Sequence, residues 1–265
     1  MPVRQSLILS SIPISVASMP SQPDVSILIV YYSGELIFET IQAVYDANPS
    51  LSFEILVGDN NRKLGIEQKL AKQFPEVIYH DNGGNVGFAK GMNQLFDLAN
   101  GRHILVYNPD VLLKKGVLET LVEYLKSHED VGMVCPRLEY TDGTTQPSAC
   151  RIPSWFTPIV TRTPIGKTWI GKKEINRYFM QDFDHKTIKD VDSTTGAAML
   201  TRREAWEQVG GFDGRYKLYY EDNDFCRKLW HGGWRVIYNP EVSITHYHRR
   251  ETADGSFFDQ IKRRI

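Results

Sequence analysis

Short apolar runs alternate with amphipathic segments along the first half of the chain. The run DVSILIVYY at residues 24–32 is almost unbroken and rich in β-branched residues, which is typical of a strand buried on both faces of a parallel sheet. In the following GELIFETIQAVYD, apolar residues recur at helical spacing at Leu36, Ile37, Ile41 and Val44. The pattern predicts a first strand and a first helix.

The same alternation continues to residue 128. It predicts strands at FEILVGDN, EVIYHDN and HILVYNPD, and helices at KLGIEQKLAKQF, GFAKGMNQLFDLAN and KGVLETLVEYLKSH. Strands separated by helices of this length form right-handed βαβ units. We therefore predict an α/β fold, with an open, mostly parallel sheet covered by helices on both faces and ligands at the C-terminal ends of the strands.

The periodicity weakens from about residue 151 to residue 189. Prolines and aromatic residues are scattered among basic ones there, and residues 151–190 contain eight Lys or Arg against four Asp or Glu. We interpret this stretch as a long, partly ordered and functional excursion. Regular structure resumes at TTGAAMLTRREAWEQVGGFD, where Thr201 and Glu204 predict a capping box and Gly210 and Gly211 predict the end of a short helix.

Composition narrows the class of protein. With 265 residues, 42% of them hydrophobic, the chain can bury a sizeable core as one globular unit. The 31 Lys and Arg balance 32 Asp and Glu, so nothing in the net charge points to a nucleic-acid partner. Three cysteines without CxxC spacing argue against a disulfide framework and a structural zinc site, and fit a reducing cytosol.

Both termini differ from the rest of the chain. No apolar run has the length of a membrane span. Residues 1–23 carry one Arg and a patchy apolar centre broken by Pro13, and we interpret them as a flexible leader rather than a signal peptide. At residues 251–265, four apolar residues share a helical face beside three basic ones, which fits either a membrane-binding tail or a helix packed on the core.

Three polar segments follow predicted strands. Three of the four glycines in DNGGNVGFAKGMN, at positions 84, 87 and 91, have a spacing that predicts either a ligand loop or a tight turn and that matches neither a dinucleotide fingerprint nor a P-loop. Asp110 in LVYNPDV could hold a hard divalent cation, or could cap a helix or form an Asx turn. His246 and His248 in VSITHYHRR share one face of a strand, as ligands for metal or phosphate or as half-exposed edge residues.

The segment YYEDNDF places three carboxylates, Glu221, Asp222 and Asp224, in the first turn of a predicted helix. The helix macrodipole and the free N–H groups favour negative charge there. Successive helical residues point about 100° apart, so the three cannot all face one ligand and a metal cluster is disfavoured. We interpret one as a candidate catalytic group, and its neighbours as capping groups or as partners of Arg227 or Lys228.

Together these segments resemble a known family. VSILIVYY, VGDNN, GGNVGFAKGMN, YNPDV, STTGAAMLTRREAWEQVGGFD, YYEDNDFCRKLWHGGWRVIYNP and ITHYH occur in the order seen in glycosyltransferase family two, the inverting transferases of GT-A fold. They are most similar to its bacterial rhamnosyltransferase branch, which builds O-antigen and related cell-wall polysaccharides. The resemblance implies a Rossmann-like nucleotide-binding sheet, with a single domain at residues 24–250, divided into a nucleotide-sugar half (24–111) and an acceptor half (112–250).

The resemblance also implies roles for individual residues. Asp222 would be the catalytic base, with Glu221, Asp224, Gly196 and Ala197 as supporting or acceptor-side residues. The donor-binding residues implied are Tyr32, Asp59, Asn60, Asn85, Gly87, Phe88, Gly91, Asn93, Asn108 and Asp110. Asp110 and His246 would hold Mg²⁺ or Mn²⁺. Asn108 replaces the first acid of the DxD-type motif and removes one charge from the cation site.

The function implied is transfer of L-rhamnose from dTDP-L-rhamnose to a sugar on undecaprenyl diphosphate. Such an acceptor would place the enzyme in the cytoplasm, peripherally on the inner face of the cell membrane, with no nucleic-acid partner. Two alternatives remain open: another donor, such as UDP-galactofuranose or UDP-GlcNAc, and a non-catalytic sugar- or nucleotide-binding protein on the same scaffold.

Overall fold

A computed structural model describes residues 22–247. The tail predicted at residues 251–265, His248 and all but the last two residues of the predicted leader lie outside the described residues. None of the helices within residues 22–247 has the length and hydropathy of a membrane-spanning segment.

The first half of the described chain alternates strand and helix as the sequence predicts. Its elements are β1 (Val25–Tyr31), α1 (Leu36–Ala47), β2 (Phe53–Asp59), α2 (Ile66–Gln73), β3 (Ile78–Asp81), α3 (Phe88–Leu98), β4 (His103–Tyr107), β5 (Val111–Leu112) and α4 (Val117–Ser127). β1 pairs in parallel with both β2 and β4, and β2 pairs in parallel with β3. The C-terminal ends of these four strands therefore lie along one edge of the sheet.

The second half extends the same sheet and adds a helical insertion. Its elements are β6 (Val131–Glu139), β7 (Thr145–Gln146), β8 (Ala149–Cys150), α5 (Thr157–Arg162), α6 (Trp169–Tyr178), β9 (Lys189–Asp190), β10 (Ser193–Thr194), β11 (Ala198–Arg202), α7 (Arg203–Val209), α8 (Glu221–His231) and β12 (Arg235–His246). The order is β3-β2-β1-β4-β11-β6-β12-β5. β11 runs antiparallel to β4 and β6, and β12 runs parallel to β6, so the sheet is mixed.

Alternation along β1 explains why both faces of the sheet are covered. Ile27 and Ile29 pack in a core cluster with α1, α2 and α4, whereas Leu28 and Val30 pack in a second cluster with α3, α7 and α8. Because successive side chains of a strand point to opposite faces, an unbroken apolar run requires helices on both sides. The α/β fold predicted from the sequence is confirmed.

The excursion predicted at residues 151–189 is partly helical. Residues 157–178 form α5, a 3₁₀ turn at Pro164–Lys167 and α6, so the excursion contains more regular structure than its prolines suggest. Pro158 and Pro164 stand in the first turns of their helices, where proline is tolerated.

The capping box at Thr201 and Glu204 is wrong. Thr201 belongs to β11, where it pairs with Ile104 and is fully buried, and the N-cap of α7 is Arg202, which makes no side-chain capping bond. Thr201, which the sequence pattern assigned to the helix cap, is therefore part of a strand. The predicted end of the helix is confirmed, since Gly210 and Gly211 have φ of 76° and 64°.

Candidate active site

The three acids of the YYEDNDF segment occupy the first turn of α8, as predicted. The chain enters this helix through Tyr219 and Tyr220, which both have φ of 69°. This left-handed conformation is rare for aromatic residues and costs free energy that neighbouring contacts must offset. Arg162 from α5 lies over both rings, 5.9 Å from the centroid of Tyr219 and 5.0 Å from that of Tyr220.

Asp222 is held by three hydrogen bonds at an edge of the fold that remains partly accessible. The Gly196 N–H donates to Oδ2 across 3.1 Å, while the backbone N–H and side-chain amide of Asn223 both donate to Oδ1 across 2.8 Å. Burial raises the pKa of Asp222, and these hydrogen bonds oppose that rise. An oriented carboxylate with a raised pKa is a stronger proton acceptor than an ordinary aspartate.

Asn223, which sequence reasoning missed, is itself fixed by two hydroxyl groups. Its Oδ1 accepts a hydrogen bond of 2.8 Å from Ser193, and its amide group donates to the Tyr178 hydroxyl across 3.2 Å. All three residues are buried. This chain of contacts fixes the orientation of the amide that binds Asp222. An asparagine between two aspartates in the sequence gives no sign of it, because Ser193 and Tyr178 come from distant segments.

The two other acids of the turn have separate environments. Glu221 is 7% exposed, and its Oε2 finds no hydrogen-bond partner within the described part of the chain. Burial, followed by the charge of Asp222, raises the pKa of Glu221 to about 8. Asp224 lies 3.6 Å from the Lys228 ammonium group, which confirms the predicted pairing with a basic neighbour on the same helix.

Asp110 and His246 meet because β5 pairs with the end of β12. His246 lies opposite Val111 in this ladder, and its Nε2 is 3.3 Å from Asp110 Oδ1. Its Nδ1 lies 3.0 Å from Gln146 Oε1. The helix-capping alternative for Asp110 receives no support, because β5 follows it and α4 begins later, at Val117.

This pair fits part of a divalent cation site. Asp110 Oδ1 accepts no hydrogen bond from any residue between 22 and 247, although it is buried and faces a histidine nitrogen. If His246 donates its Nδ1–H to Gln146, its Nε2 carries a lone pair on the side of the carboxylate, and one cation could contact both residues. No cluster of three or more His, Cys, Asp or Glu suited to a metal occurs in the described chain, so the ligand's oxygens would have to complete the coordination.

A short path of backbone contacts connects the two acidic positions. Asn108 donates its N–H to the Ala197 carbonyl across 3.0 Å, and Ala197 follows Gly196, which bonds Asp222. Asp110 lies two residues beyond Asn108. Residues 108–110 and the first turn of α8 are therefore adjacent to the same short segment before β11.

The glycine loop borders this region. A Cβ placed on Gly196 would lie 3.7 Å from Asp222 Cβ and 3.9 Å from the ring of Phe88, the first residue of α3. Gly87, with φ of 86°, comes so close to Lys217 that an added Cβ would lie 2.8 Å from its carbonyl oxygen. Asn60 donates from its side chain to the Gly87 carbonyl across 3.3 Å. The loop is thereby fixed between the end of β2 and the segment leading to α8.

Three other residues of the predicted donor site make contacts inside the protein that position the loops and helix around the site. Asp59 is fully buried, with its carboxylate bonded by the Tyr79 hydroxyl and the Asn61 N–H. A Cβ on Gly91 would meet Val30 at 2.9 Å, so this glycine permits close packing of α3 on the sheet. The Asn93 side chain donates to the Phe212 carbonyl and accepts from its N–H.

Tyr32 and Asn85 lie at the surface of the described chain. Tyr32 is 47% exposed, and Asn85 accepts a hydrogen bond from the Gly87 N–H. Donor contacts remain a prediction both for these two residues and for the buried ones.

The sequence identifies the family to which this fold and site belong. Residues 23–264 match the model of the family described as glycosyltransferase like family 2. The chain belongs to this family. The match spans every residue discussed above, from β1 to His246.

Two proteins named as rhamnosyltransferases are similar to most of the chain. The N-acetylglucosaminyl-diphospho-decaprenol L-rhamnosyltransferase of Mycobacterium tuberculosis (strain H37Rv) is 28% identical over 210 residues, which are 75% of this chain and 68% of that protein. The rhamnosyltransferase WbbL of Escherichia coli (strain K12) is 28% identical over 220 residues, which are 80% of this chain and 78% of that protein.

A solved structure supports the fold of the glycosyltransferase. GalNAc-T7, crystallised with UDP, GalNAc and Mn²⁺, superposes with a TM-score of 0.65 at 16% identity, over 89% of this chain and 45% of that one. Our chain thus spans less than half of that structure. At this identity the likeness shows the GT-A fold alone.

Proposed function

We propose that this glycosyltransferase transfers L-rhamnose, with inversion, from dTDP-L-rhamnose to a sugar carried on undecaprenyl diphosphate. Two similar proteins, each named as a rhamnosyltransferase, support the choice of sugar, and the diphospho-decaprenol acceptor in one of their names supports a lipid-linked acceptor. The observation that carries the proposal is the oriented Asp222 carboxylate beside Gly196 and Phe88, one short segment away from Asp110.

Asp222 would act as the general base. The acceptor hydroxyl oxygen attacks the anomeric carbon of the donor, a bond forms between them, and the bond from that carbon to the diphosphate oxygen breaks. Asp222 accepts the hydroxyl proton as the oxygen becomes acidic, which contributes about 10²–10⁴ in rate. Asn223 and the Gly196 N–H hold the carboxylate in place, and Oδ2, which accepts a single hydrogen bond from Gly196, would be the oxygen that takes the proton.

The leaving group departs on the side of Asp110. Asp110 and His246 would hold Mg²⁺ or Mn²⁺, and the bound ion supplies positive charge that neutralises the developing charge of the diphosphate. Because Asn108 stands in place of one acid, Asp110 would be the protein's single carboxylate toward the cation, and oxygens of the diphosphate would complete its coordination.

The donor would occupy the edge of the sheet formed by the ends of β1, β2 and β4 and the glycine loop. We propose contacts with the donor for Tyr32, Asp59, Asn60, Asn85, Gly87, Phe88, Gly91, Asn93, Asn108 and Asp110. Glu221 and Asp224 would support the acceptor side, together with Gly196 and Ala197. A lipid-linked acceptor would keep the enzyme on the inner face of the cell membrane, in the cytoplasm.

A panel of nucleotide sugars tests the proposal. The melting temperature of the protein should rise most with dTDP-L-rhamnose in the presence of Mn²⁺, since a ligand that binds the folded state stabilises it according to its affinity. Transfer to a lipid diphosphate sugar should follow with the same donor. A larger rise in melting temperature and faster transfer with UDP-galactofuranose or UDP-GlcNAc would overturn the assignment of dTDP-L-rhamnose as the donor. Binding of a donor without transfer to any sugar acceptor would favour a non-catalytic binding protein.

A further inference from the structure

Large apolar side chains are exposed on the helical insertion between β8 and β9. Trp155 is 82% exposed and Trp169 is 77% exposed. Three isoleucines of the same insertion are also exposed: Ile159 at 37%, Ile165 at 45% and Ile170 at 59%. So many exposed apolar side chains within about twenty consecutive residues are unusual for a surface in contact with water alone, and mark an interaction site.

The part of this insertion from residue 152 to residue 173 carries only positive charge. Residues 152–173 contain Arg162, Lys167, Lys172 and Lys173 and not one Asp or Glu, although the whole chain has a net charge of −1. All four basic residues are exposed. The Lys173 ammonium group lies 5.8 Å from the centroid of the Trp169 ring, so the basic and apolar groups are interleaved. We call these five apolar and four basic residues the Trp155–Lys173 surface.

Tight backbone packing gives the insertion a fixed shape. A Cβ on Gly166 would lie 2.2 Å from the Val160 carbonyl oxygen, and one on Gly171 would lie 2.2 Å from that of Ile165. The two helices and the 3₁₀ turn between them are thus in direct contact. Glu174 bonds Ser154 and Arg177, which ties the start of the insertion to α6. The exposed tryptophans therefore stand on a preformed unit rather than on an open loop.

This unit is attached to the catalytic helix at two points. Arg162, at the end of α5, stacks on Tyr220, the residue before Glu221. Tyr178, at the end of α6, bonds the side chain of Asn223, which in turn bonds Asp222. The insertion is therefore in direct contact with the helix that carries the candidate base.

We propose that the Trp155–Lys173 surface docks the enzyme on an anionic phospholipid bilayer. Tryptophan favours the boundary between headgroups and acyl chains, isoleucine inserts among the chains, and lysines bind anionic headgroups. Exposed isoleucines fit a lipid phase better than a sugar, which stacks on aromatic rings, and four cations without an anion oppose the pairing of two copies of the surface.

The inference rests on the proposed function, because docking on a bilayer serves the enzyme only if a lipid-linked acceptor has to reach Asp222 from that bilayer. The binding itself can be measured independently of transfer. The full chain should float with vesicles of phosphatidylglycerol and phosphatidylethanolamine, and should bind phosphatidylcholine vesicles weakly. Raising the salt concentration should reduce binding, because salt screens the lysines.

Two variants with matched controls test the surface. The double variant Trp155→Ala, Trp169→Ala should lose at least about tenfold in vesicle partitioning, a change of roughly 1.4 kcal/mol. Its control, Leu64→Ala, Leu98→Ala, removes two side chains that are 48% and 43% exposed elsewhere and should bind as the wild type does. The variant Lys167→Gln, Lys172→Gln, Lys173→Gln should bind anionic vesicles roughly tenfold less or weaker still. Its control, Lys63→Gln, Lys72→Gln, Lys115→Gln, removes the same amount of charge from other exposed positions. This control should bind anionic vesicles as the wild type does.

The outcomes separate the two proposals. Unchanged vesicle binding in both surface variants, or equal loss in the controls, would overturn the docking assignment. Binding lost in the surface variants, with transfer to a water-soluble acceptor analogue retained, would support it. If vesicle binding follows the variants while no donor supports transfer, docking stands and the proposed function fails. Binding to a protein or to a second copy, with none to vesicles, would replace the bilayer as the partner.

Discussion

Asn108 and Ala197 are joined by a hydrogen bond of 3.0 Å from the Asn108 N–H to the Ala197 carbonyl oxygen. Asp110 is two residues from Asn108, and Asp222 accepts a hydrogen bond from Gly196, the residue before Ala197. Acids more than a hundred positions apart thus border one short segment. This adjacency allows the two acids to have the separate roles that we propose. Asp222 would take the proton of the acceptor, and Asp110 would lie on the side of the departing diphosphate.

The first prediction concerns the amide that orients the base. Asn223→Ala removes a hydrogen bond of 2.8 Å from Asp222 Oδ1, and hydrogen bonds to a carboxylate lower its pKa. The acidic limb of the profile of kcat/KM against pH should therefore move to higher pH, with donor affinity unchanged. Asn239→Ala, which removes another buried asparagine, is the control for destabilisation. An unshifted limb would show that Asn223 does not tune the base.

The second prediction concerns the cation site. Asp110→Ala should lower the affinity for a nucleoside diphosphate at least about tenfold when Mn²⁺ is present, since a carboxylate is the preferred ligand of such a cation. Without Mn²⁺ the two proteins should bind alike in calorimetry. His246→Ala should act in the same direction. Asp130→Ala, which removes an exposed acid that precedes β6 and pairs with Arg235, should leave binding unchanged. Equal affinity of Asp110→Ala and wild type with Mn²⁺ would remove Asp110 from the cation site.

The third prediction concerns stability and the buried Glu221. Its folded-state pKa is raised from 4.5 to about 8, so the folded chain binds more protons than the unfolded chain between these values. The free energy of unfolding contributed by this group should fall as pH rises through that window, by up to roughly 1.4 kcal/mol per pKa unit. Glu221→Gln should therefore gain stability over wild type as pH rises from about 5 to 8.

Urea unfolding at both pH values measures this difference. The exposed Glu76→Gln controls for the loss of an acid. A stability difference between Glu221→Gln and wild type that stays constant with pH would mean that Glu221 is not held neutral in the folded chain.

The fourth prediction uses the space beside Asp222. A Cβ on Gly196 would make ordinary contacts of 3.7 Å with Asp222 and 3.9 Å with Phe88. Gly196→Ala should therefore fold normally, and Gly196→Val should extend into the space that the acceptor needs. We expect the KM for the acceptor to rise from wild type to alanine to valine, while the melting temperature stays within a few degrees. Two variants with wild-type kcat/KM would place the acceptor elsewhere.

The first half of the fold could be predicted because its signals are local. The unbroken apolar run of β1 needs both faces covered, and the period of α1 is clear over three turns. The insertion at α5 and α6 was harder, because Pro158 and Pro164 look like helix breakers yet occupy first turns. Thr201 misled the capping prediction because pairing with β4 decides its conformation.

The acidic residues of the site could be predicted from the sequence, but the hydrogen bonds that position them could not. Glu221, Asp222 and Asp224 show in the sequence as an unusual concentration of charge, and Asp110 shows as an acid at a strand end. The network that holds Asp222 depends on contacts between segments far apart in sequence, such as the bond from Ser193 to Asn223. Local patterns do not contain such contacts, so these positioning residues emerge from the structure alone.

The most direct test of the central claim is Asp222→Asn. This change keeps the shape of the side chain and removes its ability to accept a proton, so the donor Kd from calorimetry should stay within about twofold while transfer falls about 10²–10⁴-fold. Asp130→Asn, at an exposed acid that pairs with Arg235, should retain wild-type transfer. Transfer by Asp222→Asn at the wild-type rate would contradict the assignment of Asp222 as the base.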